Sequence, residues 1–190
     1  PEQHFNMANY GSTGVFLSTP VANDREGVVQ IKAEVTNDAS SKVRLKMRNC
    51  IYDAQGKLLQ TKIQPFLLKA GETATVECRS DVIANPQLWT PEMPALYCVT
   101  TTIVNAKNGD ILDEVSNKVG FRWFSFDSGK GFSLNGKPYK LRGVNRHQDQ
   151  APVGVAIDDE VNRRDIRQMK EIGCNFIRIS HYPQDDALLD

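Results

Sequence analysis

The sequence predicts a mainly β protein in two parts, a β-sandwich over residues 1–125 and a strand–helix–strand (βαβ) unit over residues 126–190. Three observations predict this division. Apolar and polar residues alternate along several short runs of the first part, turn-forming residues separate those runs, and helical periodicity begins only after Asp158. A chain of 190 residues is long enough for one or two domains with a substantial core.

The strands of the first part are predicted by period-two alternation. It is clearest in residues 28–35, 42–48, 74–78 and 97–104. Turn signals between the runs are Asn37-Asp38, Gln55-Gly56, Ala70-Gly71 and Asn108-Gly109. We expect the last to be a two-residue hairpin turn with positive φ at both residues. About seven strands in roughly 100 residues are typical of an immunoglobulin-like sandwich.

The second part is predicted to begin with a small hairpin around Asn135-Gly136. A strand then leads to residues 145–147. Asp158 is the expected N-cap of a helix that ends at Gly173. Its apolar stripe is Val161, Ile166, Met169 and Ile172. A second strand follows at residues 175–180, and the two strands of such a unit are expected to be parallel.

Composition excludes several classes of partner. The 23 basic and 23 acidic residues balance, so neither nucleic acid nor an anionic membrane surface is a predicted partner. No apolar stretch approaches the roughly 20 residues that a membrane helix needs. No signal peptide is predicted at the start. The compartment, whether cytoplasmic, periplasmic or secreted, stays open.

Four cysteines, Cys50, Cys78, Cys98 and Cys174, show neither C-x-x-C spacing nor histidine partners at zinc spacing. The sequence therefore predicts no metal site. Three of them fall inside predicted strands, where we expect small buried hydrophobic side chains, and a disulfide remains an alternative. We also expect Trp89 and Trp123 to pack in the protein rather than stack on sugars.

Two runs place a histidine at the C-terminal end of a predicted parallel strand. They are Arg-Gly-Val-Asn-Arg-His at 142–147 and Asn-Phe-Ile-Arg-Ile-Ser-His-Tyr-Pro at 175–183. Adjacent parallel strands lie about 4.8 Å apart, so His147 and His181 are expected to project into one pocket. Imidazoles there suit hydrogen bonds to sugar hydroxyls or to a carboxylate. The alternative is a pair of surface or capping histidines.

These runs resemble those of glycoside hydrolase family 2, which contains β-galactosidases, β-glucuronidases and β-mannosidases. The second run, followed by Leu188-Leu189, fits the family signature, and the first resembles its β-galactosidase version. Residues 88–97 and 119–122 resemble the last strands of the family's sandwich domain. The resemblance covers nearly the whole chain. It implies an immunoglobulin-like β-sandwich followed by a truncated (β/α)8 barrel start.

The resemblance implies a fragment of a retaining hydrolase, first a β-galactosidase acting on terminal β-galactosides. Such enzymes use two carboxyl groups about 5–5.5 Å apart. In the family both are glutamates on later barrel strands, so this chain, ending at Asp190, is predicted to be inactive by itself and contains no catalytic residue. Magnesium, bound in some β-galactosidases, would use residues outside it. The alternatives are a β-glucuronidase, a β-mannosidase, or a non-catalytic carbohydrate-binding or scaffold module.

The resemblance assigns roles to few residues. His147 and His181 match residues that line the sugar subsite, and Arg178 matches an arginine that contacts the nucleophile. Asp149 lies near the predicted mouth as a further sugar-binding candidate, although residues 148–150 depart from the bacterial β-galactosidase pattern. Asn145 and Arg146 are expected to buttress the first strand. Open sheet edges and apolar faces predict self-association through residues 126–190.

Overall fold

A computed structural model of the chain describes residues 1–9, 12–151, 153–181 and 183–189, apart from the side chain of Asp186. It is mainly β, as predicted, and forms two compact units, Pro1–Trp123 and Phe124–Asp190. Tyr182, within the second motif, lies outside the described residues.

The first unit contains nine strands among its described residues. They are β1 (Gln3–Phe5), β2 (Val15–Ala22), β3 (Glu26–Asn37), β4 (Val43–Tyr52), β5 (Leu58–Leu68), β6 (Thr73–Arg79), β7 (Ile83–Ala84), β8 (Tyr97–Asn105) and β9 (Ile111–Val119). β3 pairs antiparallel with β1, β2, β6 and β7 in one sheet. The second sheet has the antiparallel order β5-β4-β8-β9. Two short strands, β1 and β7, raise the total above the predicted seven.

The core lies between these two sheets. Every second residue of β3, β4 and β8 faces inward, and these side chains form one fully buried cluster that includes Ile31, Val35, Leu45, Met47, Val99 and Ile103. Phe121 closes the cluster and meets Tyr97 edge to face, with ring centroids 4.8 Å apart. A Cβ at Gly27 would lie 2.7 Å from the Phe121 ring, so β3 requires glycine there. The predicted sandwich is confirmed.

The Asn108-Gly109 turn differs from the prediction. Only Gly109 has positive φ (83°), and the Asn105 N–H donates to the Asp110 carbonyl, so the loop spans residues 106–109. The cause is a β-bulge. Ile103 pairs with Asp113 but Val104 pairs with Ile111, so the register of β8 and β9 shifts before the turn. The two-residue turn lies instead at Asn135-Gly136, where φ is 51° and 75°.

All four cysteines are free and partly buried. Cys78 packs against the sandwich core, as expected of a small hydrophobic residue. Cys50 and Cys98 point away from the core, because they alternate with inward-facing Asn49, Ile51 and Val99. The expectation of burial is therefore wrong for these two. Period-two alternation decides the face of a strand residue, whatever its side-chain type.

Trp89 packs at the edge of the sandwich, which agrees with the prediction. A Cβ at Gly120 would lie 2.9 Å from the Trp89 Cβ, and the Arg122 guanidinium lies 4.7 Å from the centroid of the indole ring. The backbone N–H of Trp89 also donates to the Phe121 carbonyl. These contacts make Trp89 part of the packing between the end of β9 and the segment before β8.

The second unit begins with an antiparallel sheet of β10 (Phe124–Asp127), β11 (Gly131–Leu134) and β12 (Lys137–Pro138). The predicted βαβ unit follows, as β13 (Gly143–Arg146), α1 (Asp159–Glu171) and β14 (Phe176–Ile179), and the short helix α2 (Asp186–Leu189) comes last. β13 and β14 are parallel neighbours, as predicted. None of the helices in the described part of the chain has the length and apolar character that a bilayer crossing requires.

Helix α1 has the predicted ends. Asp158 is the N-cap, and its side chain accepts a hydrogen bond from the Val161 N–H. Gly173 follows the helix with a φ of 87°. The predicted apolar stripe is wrong at its end, because Ile172 is the C-cap residue and is 74% exposed. The buried residue of the helix is instead polar Asn162.

Candidate functional site

The ends of β13 and β14 bring two imidazole rings together. The register pairs Asn145 with Arg178 and Arg146 with Ile179, so His147 and His181 follow at the same edge of the sheet. Their ring centroids lie 5.8 Å apart with an interplanar angle of 72°. Both side chains are exposed. The structure thus places them in one location, and their role as sugar ligands stays a prediction.

Gly143 makes this close pairing possible. A Cβ at Gly143 would overlap the carbonyl oxygen of Phe176 and would lie 2.7 Å from Cδ1 of its ring. Any other residue at this position would push β13 and β14 apart at their start. The glycine of the first motif therefore serves the backbone geometry that aligns the two histidines.

Arg178 contacts two later residues of the second motif, Ser180 and His181. Its Nη1 donates to Ser180 Oγ at 2.5 Å, and its Nη2 lies 3.4 Å from His181 Nδ1. A guanidinium has no acceptor, so a hydrogen bond in this contact requires the tautomer in which Nδ1 accepts and the ring proton lies on Nε2. That tautomer presents Nε2–H as a donor. Arg178 shares the exposed face of the two strands with Asn145.

Arg146 lies on the opposite face and is only 5% exposed. Its Nε and Nη2 donate to Asp165 Oδ2 at 3.2 and 2.9 Å, and Nη2 donates to Asn162 Oδ1 at 2.8 Å. Its Nη1 donates to Gln184 Oε1 at 3.2 Å. The expected buttress of the first strand is therefore Arg146. Asn145 is exposed instead, because neighbouring strand residues point to opposite faces.

The loop after His147 carries the remaining predicted residue. Asp149 is exposed, two positions beyond His147. The Gln150 N–H donates to the Gly154 carbonyl, and the Gln148 side chain donates to the Val155 carbonyl, so the loop folds back on itself. A cleft of about 610 Å³ lies beside His181, and it is also lined by Ile179, Pro183, Gln184 and Leu189.

Sequence reasoning missed four residues of this region: Asn162, Asp165, Ser180 and Gln184. The first two are three positions apart, which places them on one helix face, and this polar pair interrupts the apolar stripe. That spacing could have indicated a buried cation facing the helix. Ser180, which is fully buried, and Gln184 gave no local signal, because their partners come from other elements.

No group of three or more histidine, cysteine, aspartate or glutamate side chains is arranged to hold a metal ion within the ranges that the structure describes. The expectation that any magnesium of the whole protein uses residues outside this chain stays a prediction.

The chain combines a sandwich with two parallel strands that carry imidazoles and a guanidinium at their C-terminal ends, the end at which TIM-barrel enzymes have their active sites. The chain belongs to Glycosyl hydrolases family 2. The family's own model matches residues 13–122, and the model of its TIM barrel domain matches residues 127–190. The family resemblance noted from the motifs is confirmed, and so is the sandwich followed by the start of a barrel.

Three relatives illustrate the likeness. A putative β-glucuronidase of Formosa agariphila is 36% identical over 97% of this chain and 20% of that protein. A β-galactosidase of Bacteroides ovatus is 30% identical over 95% of this chain and 21% of that protein. A structure of Bacteroides uniformis β-glucuronidase 2, covalently bound to cyclophellitol-6-carboxylate aziridine, is 53% identical with a TM-score of 0.95, and covers 100% of this chain and 23% of that one.

The chain spans about a fifth of the length of the curated relatives it matches. Its similarity to them covers both units, since the matched ranges include the sandwich and the βαβ unit. The family membership therefore applies to both parts of the chain.

Proposed function

We propose that the protein carrying this chain is a retaining glycosidase that hydrolyses terminal β-glucuronides, and that this chain supplies part of the wall of its sugar site. The observation that carries the proposal is the meeting of His147, His181 and Arg178 at the ends of two parallel strands. In a barrel of this kind, the loops at that end surround the active site.

The choice of glucuronide over galactoside comes from the comparisons. The chain is 53% identical, over its whole length, to a β-glucuronidase whose covalent ligand carries a 6-carboxylate. The β-galactosidase of Bacteroides ovatus is 30% identical. A carboxylate on the sugar also suits the hydrogen-bond donors of the two imidazoles, because an anionic acceptor strengthens each such bond.

Each site residue has a part in this proposal. His181 donates from Nε2, since Nδ1 faces Arg178, and His147 offers a second imidazole to the hydroxyls of the same sugar. Arg178 lies beside the nucleophilic carboxylate and favours its ionised form, because an adjacent cation stabilises that charge. Asp149 is a further sugar contact, from the loop after His147. The two carboxyl groups that carry out the reaction come from residues outside this chain.

A direct test compares nitrophenyl β-glucuronide and nitrophenyl β-galactoside as substrates of the whole protein. We expect kcat/KM to be at least about 100-fold higher for the glucuronide, since a site that hydrogen-bonds a substrate group can reject an analogue without it by about 10⁴- to 10⁵-fold. We also expect the purified 190-residue chain to hydrolyse neither substrate. Turnover by the chain alone would contradict the proposed source of the carboxyl groups.

A β-galactosidase is the second candidate. It is favoured by the Arg-Gly-Val-Asn-Arg-His run, which resembles the β-galactosidase version, and by the Bacteroides ovatus relative. Preference of the whole protein for the galactoside would establish it. A non-catalytic carbohydrate-binding module is distinguished by titration, because a module would bind the free sugar tightly without hydrolysing either substrate.

We propose two kinds of partner for this chain. One is a carbohydrate substrate, and the other is a second copy of the isolated chain, which associates through residues 126–190. The support for self-association is the exposure of large apolar side chains in this unit: Phe124, Phe126, Phe176 and Leu189. Any magnesium of the whole protein would be held by residues outside this chain, and no step assigned to this chain depends on it.

A further inference from the structure

The Arg146 side chain joins three segments of the second unit that are separate in sequence. Its donors reach Asn162 and Asp165 on α1 and Gln184 after β14, while Arg146 itself ends β13. Arginine is rarely buried unless it is paired, and here four side-chain hydrogen bonds satisfy most of its five N–H groups. The guanidinium is therefore held from several sides.

Arg146 is close to both histidines of the candidate site, either along the chain or through a hydrogen bond to a residue near them. His147 is its chain neighbour. The Arg146 carbonyl accepts a hydrogen bond from the Ser180 N–H at 3.2 Å, and Ser180 immediately precedes His181. Gln184, which accepts from the Arg146 side chain, lies three positions after His181. Arg146 thus directly precedes His147, contacts the backbone just before His181, and contacts the Gln184 side chain after it.

We infer that Arg146 is a positioning residue, which sets the distance and angle between the His147 and His181 rings from the opposite face of the sheet. This inference rests on the proposed function only in assigning the two rings to a sugar. The planar fork of arginine is what the arrangement requires, because its nitrogens point in fixed directions to Asp165, Asn162 and Gln184. Lysine would keep the positive charge but not these directions.

The test is a double-mutant cycle in the whole protein. Arg146→Lys is expected to lower kcat/KM by about tenfold, because misplacing the two rings costs no more than losing their sugar contacts. In a His147→Ala/His181→Ala background, the same change is expected to have at most about a twofold effect, because the groups it positions are gone. Equal losses in both backgrounds would overturn the inference, since a general loss of stability acts regardless of the histidines.

Two further variants sharpen this result. Arg163→Lys is the control. Arg163 is exposed on α1, the helix that carries Asn162 and Asp165, and its guanidinium lies 3.8 Å from the Asp159 carboxylate. It is expected to leave kcat/KM unchanged. Gln184→Ala keeps the Arg146–Asp165 pair and removes the hydrogen bond that ties Arg146 to the segment after His181. It is expected to reproduce part of the loss, and to do so only while His181 is present.

A measurement without turnover separates this inference from the proposed function. If the whole protein hydrolyses neither substrate, the proposed function fails, and the positioning role is read by NMR on the chain. A ring-to-ring NOE between His147 and His181 is expected for the unaltered chain and is expected to disappear with Arg146→Lys and with Gln184→Ala. An NOE that persists in a folded variant of either kind would overturn the positioning role.

Discussion

The imidazole rings of His147 and His181 meet edge to face, with centroids 5.8 Å apart, although they follow different strands. This relationship depends on the parallel register of β13 and β14, which places the residues after Arg146 and Ile179 at one edge. Two imidazole rings at this spacing can form hydrogen bonds with neighbouring hydroxyls of one sugar. The two histidines are therefore best tested as a pair.

We predict that His147→Ala and His181→Ala each lower kcat/KM of the whole protein for a β-glucuronide by about tenfold, or about 1.4 kcal/mol, the value of one good hydrogen bond. The double variant is expected to lose less than the product of the two, since the rings are in contact. His4→Ala is the matched control, because His4 lies in the other unit. Unchanged kinetics in both site variants would contradict the proposed sugar contact.

Gly143→Ala is predicted to disrupt the pairing of β13 with β14. The added methyl group would overlap the Phe176 carbonyl oxygen, which is backbone and cannot turn aside. We expect faster hydrogen exchange of amides in residues 143–146 and 176–179. Gly129→Ala is the control, since its Cβ would have only an ordinary contact of 3.5 Å with Asp127 Oδ1. Unchanged exchange in Gly143→Ala would show that the added methyl group is accommodated without disrupting the pairing.

Two adjacent threonines of β8 are predicted to respond in opposite ways to replacement by valine. Thr101 Oγ1 is buried without a protein partner, so Thr101→Val should raise the free energy of unfolding by about 1 kcal/mol. Thr102 Oγ1 donates to Glu114 Oε2 at 2.9 Å, so Thr102→Val should lower it by about 1.5 kcal/mol. Urea unfolding followed by tryptophan fluorescence measures both. A destabilised Thr101→Val protein would mean that its hydroxyl has a partner.

The stability of the sandwich is predicted to depend on His4 at mildly acidic pH. The Phe5 carbonyl and then the Asp38 carboxylate accept from its two ring nitrogens, and together they raise the pKa of His4 above its ordinary 6.5. A raised folded pKa stabilises the fold below the unfolded pKa, and this contribution disappears as pH rises through the folded value. Thermal unfolding between pH 5.5 and 8, a range that brackets a typical histidine pKa of about 6.5, should show this decline. His4→Gln should flatten it, and an unchanged pH profile would remove His4 as its cause.

Self-association of the isolated chain is predicted to involve the aromatic side chains of the first hairpin in the second unit. Phe126 is 73% exposed, and its ring lies 5.1 Å from that of Phe132. We expect light scattering to give a concentration-dependent mass, and Phe126→Ser to reduce it, because a large exposed apolar patch favours association. Met93→Ser, at an exposed apolar residue of the other unit, is the control. A constant monomer mass would contradict the prediction.

Much of the site was predictable because its signals are local. The strand–helix–strand pattern predicted β13 and β14, and the rule that parallel strands end at one edge placed His147 beside His181. The spacing of Asn162 and Asp165 could have indicated a buried cation, but Arg146 was not predictable as that cation, since these residues and Gln184 reach it from other elements. The loop at residues 106–109 also escaped prediction, because a bulge in the preceding strands decided its length.

By itself, the sequence determined the order of elements, the family and the two histidines at the strand ends. It did so because strand periodicity, capping residues and motifs are carried by neighbours along the chain. The tertiary structure alone decided which face Arg146 occupies, which partners hold it, and which ring nitrogen of His181 faces Arg178. Those features depend on distances between residues far apart in sequence, which only the folded backbone sets.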